Sequence, residues 1–232
     1  MRRVNSAIEP APNLMPDNYD WTQRRQLILE KVGACSHDLI FIGDSITHGF
    51  EREERGLQAW KRFYANRSVL NLGYGWDCTQ NVLWRLENGE FAGQRPKLVV
   101  LNIGTNNLTG NSACRPNTAA EIVEAIETIC DWLQRRAPTA AILVMAVFPR
   151  GLRHEFIWAK VRKLNRRLKT WLTDRPDLLH LDIGEQFLGS DGEIAIELMN
   201  DRCHPEASGY AKWAEALEPI VKRYLEMHPS NF

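Results

Sequence analysis

The chain lacks a charge excess of either sign: 29 Lys and Arg stand against 29 Asp and Glu over 232 residues. With no basic surplus to neutralise a phosphate backbone and no acidic tail, nucleic acid is not an expected partner. Long apolar runs are missing too. The longest, Ala140 to Phe148, has nine residues, against the ~20 that a membrane-spanning helix needs, so no membrane span is expected. The five cysteines, Cys35, Cys78, Cys114, Cys130 and Cys203, include no C-x-x-C pair. That removes the usual zinc and redox signatures and leaves them as reduced thiols. After Met1-Arg2-Arg3, residues 4–16 mix Asn, Ser, Glu and three prolines where a signal peptide would be apolar. No export signal is expected, and the location is read as cytoplasmic, or secreted if the chain is a trimmed mature form. Internal repeats, low-complexity tracts and Gly/Ser linkers are absent as well.

What is present suits one sizeable core. A chain of this length hides roughly 70% of the surface its unfolded form exposes, and 44% of its residues are hydrophobic. Residues 1–19, rich in Pro and Asn and without periodicity, read as an extended arm on a single domain formed by residues 20–232. Five short β-branched runs read as buried strands: 38–43, 68–72, 97–103, 141–148 and 178–183. Between and after them lie helical spacings, Ile122-Ile126-Ile129-Leu133, Ile157-Val161-Leu164-Leu168 and Trp213-Leu217-Ile220-Tyr224. Strands alternating with helices imply right-handed crossovers and a parallel sheet covered on both faces, a three-layer α/β/α domain. Ligands in such folds bind beyond the carboxyl ends of the strands, which points to the loops starting at Gly43, Gly73, Gly104 and Phe148.

Each loop offers chemistry and a competing structural reading. Ser45, in Gly43-Asp44-Ser45-Ile46-Thr47, falls just past a strand end, where its hydroxyl is exposed beside free backbone N–H groups. Alternatively Ser45 or Asp44 caps the helix that follows. The usual G-x-S-x-G elbow is absent, since Thr47 holds its last position. Asn106, in Gly104-Thr105-Asn106-Asn107, can aim an amide donor into the crevice or make an Asx turn. The loop Asn71-Leu72-Gly73-Tyr74-Gly75-Trp76-Asp77 offers backbone N–H groups at close range. In Asp201-Arg202-Cys203-His204-Pro205 the carboxylate can reach Nδ1 of the histidine and leave Nε2 free to take a proton from a serine. The competing reading makes Asp201 a turn cap and His204 a loop histidine. Of the other histidines only His48, one turn after Ser45, rivals His204 as a base.

In their order along the chain these motifs resemble the GDSL or SGNH hydrolases: G-D-S at Gly43–Ser45, G-x-N at Gly104–Asn106 and D-x-x-H at Asp201–His204. The resemblance covers roughly residues 38–225. It is closer still to the platelet-activating-factor acetylhydrolase-like branch, through FIGDSI, the NLGYG–D loop, VLWRLENGE at Val82–Glu90, GTNN, FPRG at Phe148–Gly151 and SDG at Ser190–Gly192.

The resemblance implies a flavodoxin-like five-stranded parallel sheet of order 2-1-3-4-5 and a serine esterase needing no metal and no cofactor. Ser45 is then the nucleophile, His204 the general base and Asp201 its orienter. The oxyanion hole is formed by the N–H of Ser45, the amide of Asn106 and the N–H of Trp76, where relatives carry Gly. A non-Gly residue at positive φ would be strained, so the expectation is that the loop keeps φ negative at Trp76 or passes the donor role to Gly75 or Gly73. The expected substrate is a small-molecule ester, an acetyl ester of a carbohydrate or of a platelet-activating-factor-like lipid. A homodimer is compatible with this reading. The alternatives are a thioesterase or lysophospholipase on the same triad, and a non-catalytic binding module.

Overall fold

The computed structural model describes residues 4–15 and 19–226. Residues 1–3 and 16–18 of the expected arm, and 227–232, lie outside the described residues. The five strands are β1 (Leu39–Gly43), β2 (Val69–Gly73), β3 (Leu98–Asn102), β4 (Ala141–Met145) and β5 (Leu179–Leu181), all parallel and in the order β2-β1-β3-β4-β5. The helices are α1 (Trp21–Ala34), α2 (Ser45–His48), α3 (Leu57–Tyr64), α4 (Thr79–Arg85), α5 (Thr105–Thr109), α6 (Ala119–Arg136), α7 (Phe156–Thr173) and α8 (Ala207–Glu226).

Alternation along each strand divides the core in two. Ile40, Ile42, Val99, Leu101, Ile142 and Val144 face one side and pack with Ile122, Ile126 and Ile129 of α6 and Leu164 and Leu168 of α7. Leu39, Phe41, Leu98, Val100, Leu143 and Met145 face the other, against Tyr64 of α3 and Tyr210, Trp213 and Leu217 of α8. The strand runs are continuously apolar because both faces are covered.

Two departures from the expected elements have local causes. The fourth run leaves the ladder after Met145, because the side chain of Asn165 takes over the pairing: its Oδ1 accepts from Val147 N at 2.9 Å and its Nδ2 donates to Val147 O at 2.8 Å. Helix α1 has no counterpart among the helical spacings above, since it buries only Ile28 and Val32. Its start is set by Asp20, whose carboxylate accepts from Gln23 N.

The register positions the chemistry. Gly43 pairs with Gly73 on one side and with Asn102 on the other, so β1, β2 and β3 end level with one another. Ser45, Trp76 and Asn106 follow those ends within a few residues and emerge on one rim of the sheet. A Cβ at Gly43 would collide with Asn102 O and with the Thr47 side chain. Gly43→Ala should therefore cost about 2–3 kcal/mol, read as a lower urea midpoint at unchanged m-value; an unchanged midpoint would show that this close approach is not required.

Candidate active site

The first half of the site is built by turns at the strand ends. Asp44 Oδ1 accepts from Ile46 N at 2.9 Å, so Asp44, not Ser45, caps α2, and the Ser45 side chain is left for other work. Asp44 Oδ2 is buried with no hydrogen-bond partner among the described residues. Burial, with Asp77 adding to it, pushes the Asp44 carboxyl up to about 7.

The second half comes from the turn before α8. Asp201 serves two functions there. Its Oδ1 accepts from Cys203 N at 2.9 Å and His204 N at 2.7 Å, closing the turn, while Oδ2 accepts from His204 Nδ1 at 2.8 Å. Burial works against its charge, but the His204 backbone and ring hydrogen bonds outweigh it and hold the carboxyl below its ordinary value. The opposite ring nitrogen, His204 Nε2, lies 3.0 Å from Ser45 Oγ. Ser45, His204 and Asp201 thus form one hydrogen-bonded chain across 159 residues of sequence. The turn is tied down by Arg55, whose Nη1 donates to Pro205 O at 3.2 Å and to Glu206 Oε1 at 3.0 Å.

His48 takes no part. Its ring packs edge-on against Tyr19, with centroids 4.8 Å apart, and it does not line the cleft at Ser45. Burial, reinforced by Arg24 and Arg52, holds it neutral, down to about 2.

Trp76 departs from expectation. Its φ is +64°, so the loop keeps φ positive here although the residue is not glycine. The strain is held by neighbours on every side. Asn13 Nδ2 donates to Gly75 O and to Asp77 Oδ1, both at 2.9 Å, and Asp77 N donates to Tyr74 O at 3.3 Å. Asp77 Oδ2 accepts from Arg85 Nε at 2.8 Å, and Arg85 also pairs with Glu90, all three side chains being 0% exposed. Burial raises Asp77 to about 6, and Arg85 with Asn13 keeps it ionised at neutral pH. Asp77 O in turn accepts from Asn106 Nδ2 at 3.0 Å, which aims that amide and leaves its second hydrogen available.

Ser45, Trp76, Asn106, Arg150 and His204 line one cleft of about 250 Å³, together with Arg52, Arg55 and Tyr210. All four loops singled out from the sequence contribute to it. Asn13, Arg55 and Arg85 are not among the candidates that the sequence motifs mark. Arg85 and Glu90 had a signal, since both belong to the VLWRLENGE stretch, and their buried pairing with Asp77 gives that stretch its reason. Among the described residues, no cluster of three or more His, Cys, Asp or Glu could hold a metal ion.

The strand order, the two helical layers and the site at the strand ends define a hydrolase fold of the SGNH type. A GDSL-like lipase from Bacteroides thetaiotaomicron superposes with a TM-score of 0.71 at 15% identity, over 87% of this chain and 98% of that one. An acetyl xylan esterase superposes with 0.66 at 17% identity, over 79% and 98%. In sequence, the GDSL-like lipase/acylhydrolase family matches residues 41–212. Platelet-activating factor acetylhydrolase IB subunit alpha2 of Rattus norvegicus is 35% identical over 194 residues, 84% of this chain and 80% of that protein. The Gallus gallus protein of the same name is 33% identical over 226 residues, 97% and 94%. The chain belongs to the GDSL-like lipase/acylhydrolase family and is a carboxylic ester hydrolase. No helix among the described residues is long and apolar enough to cross a membrane.

The buried Asp44 carboxyl makes a pH prediction. Its folded value, about 7, lies above the ordinary 3.8. Its stabilising contribution is therefore complete below about pH 4 and is lost as pH rises through 7. Asp44→Asn should raise the melting temperature more at pH 8 than at pH 5, measured by thermal denaturation at both; an equal shift at the two values would contradict the assignment.

Proposed function

We propose that the protein is an acetylesterase acting through Ser45, His204 and Asp201. The observation that carries this reading is the unbroken chain of 3.0 Å and 2.8 Å contacts from Ser45 Oγ through His204 to Asp201, opening into the cleft. Ser45 Oγ attacks the ester carbonyl as His204 Nε2 takes its proton. Asp201 holds the ring tautomer and balances the imidazolium. His204 returns the proton to the departing alcohol, and water then releases acetate by the same route in reverse. The N–H of Ser45, the N–H of Trp76 and the free amide hydrogen of Asn106 converge on the oxyanion.

The lining of the cleft supports a polar alcohol. Arg52, Arg55 and Arg150 supply charged hydrogen-bonding groups, and Trp76, 39% exposed, is an exposed aromatic side chain of the lining. A lipid enzyme would present a contiguous apolar mouth. The other exposed large apolar side chains, Phe156 and Ile196 among them, do not line this cleft. An acetylated carbohydrate suits these walls better than a platelet-activating-factor-like lipid. Both directions have a namesake: an acetyl xylan esterase among the structural neighbours, and platelet-activating factor acetylhydrolase subunits among the relatives in sequence.

Ser45→Ala and His204→Ala should each cost at least ~10⁴-fold in kcat, and the double variant scarcely more. A variant of either residue that keeps its fold and its activity overturns the triad. The Trp76 indole, carried by the same residue as one of the oxyanion donors, should wall the acyl pocket. In a series of p-nitrophenyl esters acetate should react much faster than butanoate, and Trp76→Gly should narrow that gap. An unchanged preference in Trp76→Gly would assign the indole to the alcohol side.

A further inference from the structure

The proposed reaction uses no thiol, yet two cysteines meet beside its oxyanion donors. Cys78 Sγ and Cys114 Sγ are 3.2 Å apart, closer than two sulfurs in plain contact, and both thiols are free. A disulfide requires about 2.05 Å, so a shift of about 1 Å between the two sulfurs closes the bond. Cys78 is buried, follows Asp77 directly, and is fixed by its N–H donating to Asn81 Oδ1 at 2.8 Å. Cys114 is half-buried and closes a turn with Asn111, with Asn111 N donating to Cys114 O at 2.8 Å. That turn follows α5, the helix that carries Asn106.

The two sulfurs are chemically unequal. The hydrogen bond from Cys78 draws the Cys114 thiol below its ordinary value, against a smaller opposing effect of burial. Cys203, in the cleft, is pushed up by burial to about 11, and burial raises Cys130 as well. A low-pKa thiol with solvent access beside a second, buried thiol is the arrangement of an attacking and a resolving cysteine.

We propose that Cys78 and Cys114 are a reversible oxidation site, closed to a disulfide by a peroxide and reopened by a dithiol reductant. The Cys114 thiolate attacks the O–O bond of the peroxide, giving a sulfenic acid on Cys114 and releasing hydroxide, which takes up a proton to become water. The Cys78 thiol attacks that sulfur, the S–S bond forms, and the sulfenic oxygen leaves as water with the Cys78 proton. Two thiols lose two electrons, and one hydrogen peroxide becomes two waters. The bond would tie the segment bearing Trp76 and Asp77 to the segment bearing Asn106, across 36 residues of chain.

The test treats the full chain with a small excess of hydrogen peroxide at neutral pH, followed by intact mass and non-reducing peptide mapping. The expected result is loss of two hydrogens' mass, a single linked peptide pair joining Cys78 to Cys114, and recovery of the free thiols with dithiothreitol. The oxidised protein should melt about 5 °C or more above the reduced protein, as expected for a bridge across a loop of this length. Cys114→Ser, conservative in size and half-exposed, should lose both effects while its untreated melt stays within a few degrees. Sulfinic acid on Cys114 without a linked peptide, a bridge to Cys35 or Cys203, or an unreacted pair in a sample whose exposed Cys35 is fully oxidised would each overturn the proposal.

Discussion

The carboxylate of Asp77 is the joint on which the site depends. It is fully buried and accepts from Arg85 on one oxygen and Asn13 on the other, while its backbone carbonyl accepts from the Asn106 amide. One residue thereby fixes both the loop that carries the Trp76 N–H and the side-chain amide of Asn106, the two groups proposed as oxyanion donors. A non-glycine residue at positive φ costs of order 1–3 kcal/mol and persists only where its surroundings over-determine it. A buried charge with several hydrogen bonds supplies that constraint, and leaving it unpaired would cost more than the strain itself. The same cluster reaches Tyr74, whose hydroxyl donates to Glu90 at 2.9 Å, so the loop bearing Trp76 is anchored from below as well as at its flanks.

The other half of the site is held by different means. Asp201 spends one oxygen on the turn and the other on the histidine ring, so the backbone geometry and the ring orientation are set together. Arg55 braces that turn by binding the backbone carbonyls that follow it. Ser45 is held by neither of these two clusters. It stands where β1 ends, with Asp44 capping the helix beneath it, and level strand ends bring it within 3.0 Å of a histidine from the far end of the chain. Neither half is preorganised without the sheet register that aligns them.

The sheet was legible in the sequence because parallel strands covered on both faces are short, continuous apolar runs, and long helices such as α6, α7 and α8 repeat with their buried faces. Helix α1 was illegible for the opposite reason: two buried positions in a stretch dominated by charged and polar residues leave no period to read. Ser45, Asn106 and the Asp201–His204 pair could be singled out because each stands in a short motif at a strand or helix boundary. Asn13 could not, since an asparagine in an aperiodic, proline-rich stretch carries no mark of the carboxylate it meets 64 residues later. The sign of φ at Trp76 was hidden for the same reason. It is imposed by partners distant in sequence, and local sterics alone argued against it.

The role of the Asp77 joint is tested most directly by steady-state kinetics of Asn13→Ala on an acetyl ester, with the fold checked by circular dichroism. Asn13 does not line the cleft; its amide holds Gly75 O and the Asp77 carboxylate, and its Oδ1 accepts from Met15 N at 2.9 Å. With the Asp77 joint loosened, kcat should fall about tenfold, equivalent to about 1.4 kcal/mol of lost transition-state stabilisation, at a KM changed by less than about threefold. A folded variant with the parent's kcat, or one altered only in KM, would contradict the claim that the Asp77 joint sets the oxyanion donors.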